Sequence, residues 1–542
     1  MRGISPKGRR AAVLLLLAAA PSAHALYIRG YTASRHDRFT GFPTAPVLNT
    51  ASWITGSNYT GVGWLASDSR RQFALVSPQH FVMPTHWGVI NGDQVQFLSS
   101  SGQIVTATIA STTMIQESSV GTDLTLGRFT TPIPAGSGVS PFPYGDTNEA
   151  YYQMGSSSRR ALRVFGFSGR VGGGSISLSQ FPDVNLGNGT VSRMYGFTYT
   201  LAAGGQDDCY FEDGDSGSPS FIDPSGSKPL LIGTHSAADR TSSALTYTSY
   251  DTFLPHYISQ LNQQMVTDGY QMIPSSPPTV TLASAKTSTS PTTLRRVQSG
   301  TATFTISNTT SSNGATNVVT SLTFPTGSGP TTITGTGWFV DTAGPDAWTL
   351  HRATLANGTP ALLTASWNSI PATATLPVTV TTKSDGSSLQ TSNYDLAPAV
   401  SYAEWSAPLA QPATSDDPDS DGRNNLIEYA FGGDPSGGST ALATGVSVDA
   451  ILTTTGGTST LRFPVRSDSQ VRGLTYMIEW SDNLTSWSTT APSGASSPSY
   501  QAYSPAISGF KESRVTFPAN AARKFARVRV TLDENTAGMT VP

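Results

Sequence analysis

The chain has 542 residues, of which 32 are Lys or Arg and 35 are Asp or Glu, so its formal charge at pH 7 is −3. This small acidic excess, without a basic stripe along the sequence, argues against nucleic acid and anionic membrane surfaces as partners. The length allows several domains, since one domain commonly spans about 100 to 200 residues. The single cysteine, Cys209, excludes an intramolecular disulfide, so burial of apolar side chains has to hold the fold together.

The first 25 residues have the features of an export signal. Four basic residues among the first ten precede an apolar run over 11–20, and Ala23-His24-Ala25 is a small-x-small motif for cleavage before Leu26. The apolar run is shorter than the roughly 20 residues that span a bilayer, and no later stretch reaches that length. We therefore expect removal of residues 1–25, no transmembrane segment, and a secreted product that is extracellular, periplasmic or at the cell surface.

Residues 26–268 have the pattern of an all-β domain. Short alternating segments such as 73–76 and 94–97 are separated by Gly, Asn and Ser, which favours strands joined by turns. At the end of this region, apolar residues spaced by three and four from Leu254 to Met265 predict one amphipathic helix. The prolines within 269–278 then predict an extended linker, because consecutive prolines continue neither a sheet nor a helix.

Three further regions follow the linker. The Ser- and Thr-rich stretch 279–400 contains alternating segments that predict a small β-sandwich. Residues 401–440 form an Asp-rich module, and 441–542 are again rich in strand-forming residues, which predicts another sandwich-like domain. The overall fold class is therefore mainly β, and we expect the later β domains to position the protein or attach it to a cell surface or matrix.

A hydrolytic site is indicated by the hexapeptide Gly214-Asp215-Ser216-Gly217-Ser218-Pro219. Acyl transfer from a peptide requires a nucleophile, a base, a group that orients the base, and hydrogen-bond donors for the oxyanion. Glycines on both sides of the serine allow a tight turn that exposes its hydroxyl and directs main-chain amides to one place. The hexapeptide resembles the nucleophile signature of the chymotrypsin/trypsin family of serine proteases, which implies Ser216 as the nucleophile.

Two other segments are similar to the same family. Residues 73–86 resemble its strand, turn and short helix that end at the catalytic histidine, which implies His86 as the general base. Residues 121–126 are similar to its aspartate segment, which implies Asp123 as the residue that orients the base. The order His, Asp, Ser is that of chymotrypsin and differs from the orders in subtilisins and α/β-hydrolases. The implied activity is an endopeptidase acting on proteins or peptides through an acyl-enzyme.

The resemblance has several structural implications for residues 26–268. It implies a chymotrypsin-like double β-barrel, with the main-chain amides of Gly214 and Ser216 as the oxyanion hole and with no cofactor for catalysis. It also implies that Ser236 lies on the strand that binds the substrate backbone. Tyr210 aligns near the floor of the primary specificity pocket, which favours an aromatic or aliphatic side chain there over Lys or Arg.

The sequence departs from the family at the start of the mature chain. In activated members of the family, a freed aliphatic terminus pairs with the aspartate that corresponds to Asp215. The start at Leu26-Tyr27-Ile28-Arg29-Gly30 is not a clear match to that terminus. The sequence alone therefore predicts no route by which the oxyanion hole becomes ordered.

Other interpretations of these residues stay open. A Gly-Asp-Ser-Gly string also occurs in ordinary turns. His80 competes with His86, although its place at a strand-end turn predicts a surface position, and Asp93 and Asp146 compete with Asp123. A second function, from another class, is a catalytically inactive protease-like adhesin or binding module of the cell surface. A third is a protease that acts chiefly on itself or on one partner, cutting at the proline-rich linker.

A calcium loop is indicated by residues 417–428, which match the twelve-residue EF-hand pattern with glycine at its sixth position. The segment resembles the loops of dockerin-like and thrombospondin-type modules, although no good entering helix precedes it. The alternative is an acidic, solvated turn. We expect a structural Ca²⁺ here and a helix over 426–431, and the predicted ligands are Asp417, Asp419, Asp421, the Arg423 carbonyl, Asn425 directly or through water, and Glu428.

Overall fold

The computed structural model describes residues 26–152, 161–175, 181–187, 189–223, 228–239, 246–310, 312–438, 441–443, 446–520 and 525–533. The chain divides between Pro277 and Pro278 into two compact units, and its structure is mainly β. The expected export signal, residues 1–25, lies outside the described residues. Among the helices of the described ranges, none has both the length and the apolar composition needed to cross a membrane.

The described residues of the first unit form nineteen strands and two α-helices. Its strands are β1 (Tyr27–Ile28), β2 (Phe39–Thr40), β3 (Val47–Leu48), β4 (Val62–Leu65), β5 (Gln72–Leu75), β6 (His80–Met83), β7 (Gln94–Leu98), β8 (Ile104–Glu117), β9 (Val120–Phe129), β10 (Pro143–Tyr144), β11 (Ala161–Phe165), β12 (Val171–Ser175), β13 (Asp183–Asn185), β14 (Val191–Thr200), β15 (Cys209–Tyr210), β16 (Pro219–Ile222), β17 (Leu230–Asp239), β18 (Thr246–Phe253) and β19 (Ile273–Pro274). Its α-helices are α1 (Ala33–His36) and α2 (Ile258–Met265), and 3₁₀ turns cover Glu149–Tyr151, Phe167–Gly169, Leu254–Tyr257 and Val266–Asp268.

Six of these strands close into a barrel in the order β4-β5-β6-β9-β8-β7. Apolar side chains of these strands form a buried cluster that includes the rings of Phe73, Phe81, Phe97 and Phe129. The barrel needs a glycine at 127, because a Cβ there would lie 2.0 Å from the Phe81 ring. Closure leaves these strands without free edges and gives a rigid frame for the loops at its rim.

The other large element of this unit is a nine-stranded sheet. Its main path runs β12-β11-β16-β17-β18-β14-β13, and β10 pairs with both β17 and β19. In the described residues this sheet is an open path, whereas the sequence-based expectation was a second barrel. Its two edge strands, β12 and β13, adjoin the segment 176–180, which lies outside the described residues.

The amphipathic helix predicted near the end of this unit is confirmed. The 3₁₀ turn Leu254–Tyr257 runs into α2, and all five apolar positions of the predicted stripe are buried in the core. The segment 269–278 is more folded than its prolines indicate. Tyr270 and Met272 are buried, and β19 pairs in parallel with β10, so part of this segment belongs to the sheet.

In the second unit, residues 278–542, the part of the chain that the structure describes forms seventeen strands and two helices. These are β20 (Leu282–Ser290), β21 (Gly300–Asn308), β22 (Ala315–Thr323), β23 (Thr332–Thr334), β24 (Phe339–Ala343), β25 (Ala347–Leu355), β26 (Ala361–Trp367), β27 (Pro377–Lys383), β28 (Gln390–Asp395), α3 (Tyr402–Ser406), α4 (Asn425–Phe431), β29 (Ala441–Ala443), β30 (Val446–Ser447), β31 (Ile451–Thr455), β32 (Thr458–Arg466), β33 (Leu474–Ser481), β34 (Ser499–Ala502), β35 (Phe510–Pro518) and β36 (Phe525–Leu532).

Strands β20 to β28 form two sheets around one core. A four-stranded sheet, β20-β21-β26-β23, and a five-stranded sheet, β24-β25-β22-β27-β28, both contribute buried side chains to it. Strand β21 alternates strictly between buried and half-buried residues, the period of a strand with one face on a core. Two antiparallel sheets that share a core make a sandwich, as predicted for 279–400.

The last part of the chain surrounds a different core. A four-stranded sheet, β31-β32-β35-β34, and the pair β33-β36 lie around it. Tyr429, Ala430 and Phe431 of helix α4 are buried in the same cluster as Leu461 and Phe463 of β32. The Asp-rich module is therefore anchored in the core of the strands that follow it.

Candidate functional sites

His86 and Asp123 are brought together by the pairing of β6 with β9. Met83, the last residue of β6, pairs with Thr125, so the turn after β6 carries His86 to the carboxylate of Asp123 on β9. His86 Nδ1 lies 2.8 Å from Asp123 Oδ2 and 2.9 Å from Oδ1, and the main-chain N–H of His86 donates to Oδ1 at 3.0 Å. A carboxylate only accepts, so Nδ1 carries the ring proton and Nε2 keeps its lone pair. The short helix expected before His86 is a turn.

Asp123 is held by three further groups. The hydroxyl of Ser236, on β17, donates to Asp123 Oδ2. The main-chain N–H of Asp123 donates to Ser192 Oγ at 2.7 Å, and Thr252 Oγ1 donates to its carbonyl at 3.1 Å. The side chain of Asp123 is 1% exposed and that of His86 is 31% exposed, so a buried acid holds an accessible base.

The surroundings of Asp123 favour its ionised form. Burial alone would raise its pKa, but the hydrogen bonds and charge of His86, with the Ser236 hydroxyl, outweigh burial and hold the pKa of the carboxyl below its usual value. A carboxylate that is charged at neutral pH therefore faces the imidazole and stabilises a proton on the ring.

Ser216 lies on the loop between β15 and β16 and is half-buried. No hydrogen bond joins its hydroxyl to His86 in the described chain, a common situation before substrate is present. Glycine at 217 lets this loop lie close to the turn that carries His86. A Cβ at Gly217 would lie 2.9 Å from Cδ of Pro84, two residues before His86. The Gly217 N–H also donates to the carbonyl of His235 at 3.1 Å, next to Ser236.

The loop that carries Ser216 has two main-chain N–H groups without an acceptor among the described residues. Gly214 has φ of +107°, which a residue with a side chain rarely adopts. Among the hydrogen bonds of the described residues, none has the N–H of Gly214 or Ser216 as its donor. The surrounding loop is otherwise bonded, since Asp215 N–H donates to Glu212 and Ser218 N–H donates to Asp215. These two amides are thus available to an external oxygen atom.

Asp215 makes a contact that the sequence did not predict. Its carboxylate is fully buried and accepts from the main-chain nitrogen of Leu26 at 3.2 Å, from Phe167 at 3.0 Å and from Glu212 at 2.8 Å. Burial raises the pKa of Asp215 to about 6. The sequence around Leu26 gave no clear match to a terminus that pairs with this aspartate; in the structure β1 brings the Leu26 nitrogen to it.

Tyr210 is part of an aromatic stack. Its ring lies 4.7 Å from that of Tyr27 and 4.5 Å from that of Tyr247, in both cases nearly parallel. Tyr210 was assigned to the pocket floor from its distance to Ser216 along the chain; in the structure its ring packs against those of Tyr27, Tyr199 and Tyr247. Ser236, assigned to the substrate strand, has the further role of binding Asp123.

The rival residues have other partners. His80 is 1% exposed, with Nδ1 2.8 Å from Ser77 Oγ and Nε2 3.2 Å from Asp268 Oδ2, so its expected surface position is wrong. The strand-end turn folds inward and these two polar groups stabilise the buried ring. Asp93 and Asp146 each accept from a main-chain amide of their own turn.

The predicted calcium loop brings three carboxylates together. Oxygen atoms of Asp417, Asp419 and Asp421 all lie within 4.8 Å of one another. The loop is shaped by its own amides: Gly422 N–H donates to Asp417 at 3.0 Å, and Arg423 N–H donates to Asp421 at 2.8 Å. Gly422 has φ of +88°, the conformation that the glycine of this pattern has to adopt.

Glu428 is the twelfth residue of the predicted loop. It is 1% exposed, and neither of its carboxylate oxygens has a hydrogen-bond partner among the described residues. Burial raises its pKa to about 7, and the charges of Asp419 and Asp421 add to the effect. Such a buried carboxylate beside other acids is costly unless a cation binds it. Hard oxygen donors in this number suit Ca²⁺.

Asn425, another predicted calcium ligand, also holds the start of α4. Its side-chain N–H groups donate to the carbonyls of Gln411 at 2.7 Å and Ala413 at 2.9 Å and so fix α4 to the preceding segment. Its Oδ1 is buried without a hydrogen-bond partner among the described residues, so the side chain stays a predicted ligand, directly or through water. The helix predicted over 426–431 is confirmed as α4.

Neither a scan of protein-family models nor a search of curated proteins finds a match to this chain.

Proposed function

We propose that this protein is an exported serine endopeptidase of the chymotrypsin type, with residues 26–268 as a double-barrel protease domain. The observation that carries the proposal is the chain of contacts from Ser236 to Asp123 to His86, beside a serine loop with two free amides. A structural ion pair alone requires neither the accessible Nε2 of His86 nor the glycines that flank Ser216.

The proposed mechanism follows from these positions. His86 Nε2 takes the proton of Ser216 Oγ as the oxygen attacks the peptide carbonyl. Asp123 keeps the ring in the required tautomer and stabilises the imidazolium, and the amides of Gly214 and Ser216 stabilise the oxyanion. His86 then protonates the leaving amine, and water, activated by the same ring, hydrolyses the acyl-enzyme. No cofactor takes part in this sequence of steps.

The test of this proposal is labelling of the mature chain, residues 26–542, with a fluorophosphonate probe. We expect one adduct at Ser216, located by mass spectrometry, in a protein that also hydrolyses casein. Ser218→Ala is the matched control, since Ser218 is fully buried and lies two residues away on the same loop. A folded chain without an adduct at Ser216 would instead favour the catalytically inactive adhesin or binding module.

We also propose one structural Ca²⁺ in the second unit, held by Asp417, Asp419, Asp421 and Glu428. The support is the buried Glu428 carboxylate without a partner beside three converging aspartates. Because α4 carries Glu428 and is anchored in the core with β32, bound Ca²⁺ would stabilise that core and need not affect the protease unit. The β domains of this unit are proposed to attach the enzyme to a surface or matrix.

Adding Ca²⁺ to the chelator-treated protein is expected to raise the melting temperature of the second unit by about 10 °C. At a Ca²⁺ concentration about a thousandfold above the Kd, binding stabilises the folded unit by about 4 kcal/mol. In a unit of this size, each kcal/mol raises the melting temperature by about 2 to 4 °C. Differential scanning calorimetry measures it.

Two variants sharpen the calcium test. Glu428→Gln should remove the response to Ca²⁺ without lowering the melting temperature of the calcium-free protein, because it removes charge repulsion. Asp482→Asn, an exposed acid of the same unit, should respond like the parent. A calcium response that survives in Glu428→Gln would contradict the proposed site.

A further inference from the structure

A polar cavity lies against the sheet β31-β32-β35-β34 of the second unit. Its volume is about 290 Å³, close to the lower end of the range of about 300 to 1,000 Å³ that is common for small-molecule sites. Its lining comes from strands β30, β31, β32, β34 and β35 and from the residues that follow β30 and β34. We call it the sheet cavity, and its polar lining includes Asp449, Arg462, Gln501, Tyr503, Glu512 and Arg514.

The register of the strands places four of these side chains in one row. Arg462 of β32 is opposite Arg514 of β35, and Gln501 of β34 is opposite Glu512 of β35. Successive side chains of a strand point to opposite faces, so these four share the outer face of the sheet, while Leu461 is buried on the inner face. Glu512 is nevertheless only 9% exposed, because neighbouring side chains cover this part of the outer face.

Glu512 is held by the groups beside it in the row. It accepts from Gln501 Nε2 at 3.0 Å and from Arg514 Nε. Nη1 of Arg462 lies 4.0 Å from its other oxygen, Oε1. Two guanidinium groups and one amide therefore neutralise and fix the carboxylate of this row.

Asp449, the other acid of the sheet cavity, is also paired. Nε and Nη2 of Arg423 donate to its two carboxylate oxygens, each at 2.9 Å. The lining as a whole contains two acids and two arginines, so its formal charge is zero. A ligand with a net charge would have to compete with these ion pairs or remain unpaired, and burial of an unpaired charge is costly. The lining therefore favours a neutral ligand.

The sheet cavity also offers hydrogen-bonding groups that are not used up within the protein. Arg462 Nε is buried and has no hydrogen-bond partner among the described residues, which costs free energy until a ligand atom accepts from it. The phenol of Tyr503 stays protonated at neutral pH, because burial, with the charge of Glu512, raises its pKa to about 12. It can therefore donate as well as accept, and Gln501 adds a carbonyl oxygen that accepts.

We propose that the sheet cavity binds one ring of a neutral carbohydrate. Each sugar hydroxyl both donates and accepts, so it can bond the guanidinium of Arg462, the amide of Gln501 and the phenol of Tyr503 without bringing a charge into the site. The ring of Tyr503 adds apolar surface, which suits the C–H groups of a sugar ring. This gives a ligand class to the attachment to a surface or matrix proposed for the second unit, and the inference rests on that attachment role.

The test is isothermal titration calorimetry of the mature chain, residues 26–542. The probes are neutral hexasaccharides of glucose, galactose, mannose and N-acetylglucosamine, compared with the anionic hexamer of galacturonic acid and the cationic hexamer of glucosamine. We expect at least one neutral hexamer to bind with a Kd of about 1 mM or lower, and to bind more tightly than both charged hexamers.

Three variants locate the binding site. Tyr503→Ala removes the ring and the phenol and should weaken binding of that hexamer by at least about 10-fold, and Gln501→Ala should weaken it by about 3- to 10-fold, the effect of one lost hydrogen bond. Because Gln501 is exposed, Gln501→Ala decides the question if Tyr503→Ala does not fold. Tyr500→Ala is the matched control, since Tyr500 is 55% exposed on the opposite face of the same strand and lies outside the cavity lining. Its affinity should stay within about 2-fold of the parent.

The outcomes separate the carbohydrate site from the attachment role. Binding of a neutral hexamer that is unchanged in Tyr503→Ala and Gln501→Ala would overturn the inference, and so would tighter binding of a charged hexamer or no binding of any neutral one. In those cases, retention of the chain on a gelatin-coated surface would leave the attachment role in place. Absence of binding to every hexamer and to gelatin would overturn the attachment role as well. None of these results depends on activity at Ser216.

Discussion

Replacing Ser216 with alanine is expected to lower kcat for casein or a fluorogenic peptide by roughly 10⁶-fold, the size of loss seen when the nucleophile of a serine protease is removed. Alanine lacks the oxygen that forms the acyl-enzyme but leaves the turn and its two free amides in place. Some hydrolysis above the rate in water should therefore remain, from oxyanion stabilisation and substrate positioning. Initial rates at saturating substrate measure the change.

Two comparisons make the Ser216 result specific. Ser218→Ala removes a neighbouring hydroxyl that is fully buried and has no hydrogen-bond partner among the described residues, so its kcat should stay within about 3-fold of the parent. KM should change little in Ser216→Ala, because the hydroxyl is not a major binding contact. Retained turnover in a pure Ser216→Ala preparation would show that this serine is not the nucleophile.

Local patterns predicted the elements that depend on nearby residues. The apolar spacing from Leu254 to Met265 identified the helical end of the first unit, and alternation identified strands such as β5 and β7. The contact between His86 and Asp123 could be predicted for a different reason: each residue lies in a segment that resembles a known protease motif. Motif order then placed two distant positions in one site.

Contacts that depend on the path of the whole chain could not be predicted. Ser236 lies 113 residues from Asp123, and Leu26 lies 189 residues from Asp215. The resemblance placed Ser236 on the substrate strand, but no local signal paired it with Asp123, and only the register of β17 brings the two together. His80 shows the same limit, since its burial depends on Asp268 beyond the terminal helix.

The predicted calcium loop has both local contacts and contacts that depend on the rest of the chain. Its aspartates and Gly422 follow from a short-range pattern, because each position is set by the turn of one loop. The contacts of Asn425 do not, since only the folded chain brings its side-chain N–H groups to the carbonyls of Gln411 and Ala413 on the preceding segment. A pattern specifies which residues a loop contains, whereas the surrounding chain decides how their side chains are held.

Replacing Asp123 with asparagine is expected to lower kcat/KM by about 10⁴-fold while leaving the fold intact. The carboxylate accepts from His86 Nδ1 through both oxygens, so the ring proton is on Nδ1 and Nε2 is free to act as base. An asparagine amide offers an N–H at one of these positions, which favours the opposite tautomer with the proton on Nε2. That tautomer cannot accept the Ser216 proton.

The acid side of the stability profile gives a second measurement on the same variant. Since the folded pKa of Asp123 is held below its usual value, its ionised form stabilises the fold above the unfolded pKa of about 3.9, and this contribution is lost as pH falls through the folded pKa. Asp123→Asn should lack that part of the acid destabilisation.

Ser236→Ala is the matched control for the loss of activity. It removes one donor to Asp123 but keeps the tautomer of His86, so its kcat/KM should fall by about 10-fold at most. Equal losses of kcat/KM in Asp123→Asn and Ser236→Ala would mean that Asp123 positions the site only through hydrogen bonding. A large loss of kcat/KM in Asp123→Asn alone would assign the effect to the position of the proton on the His86 ring.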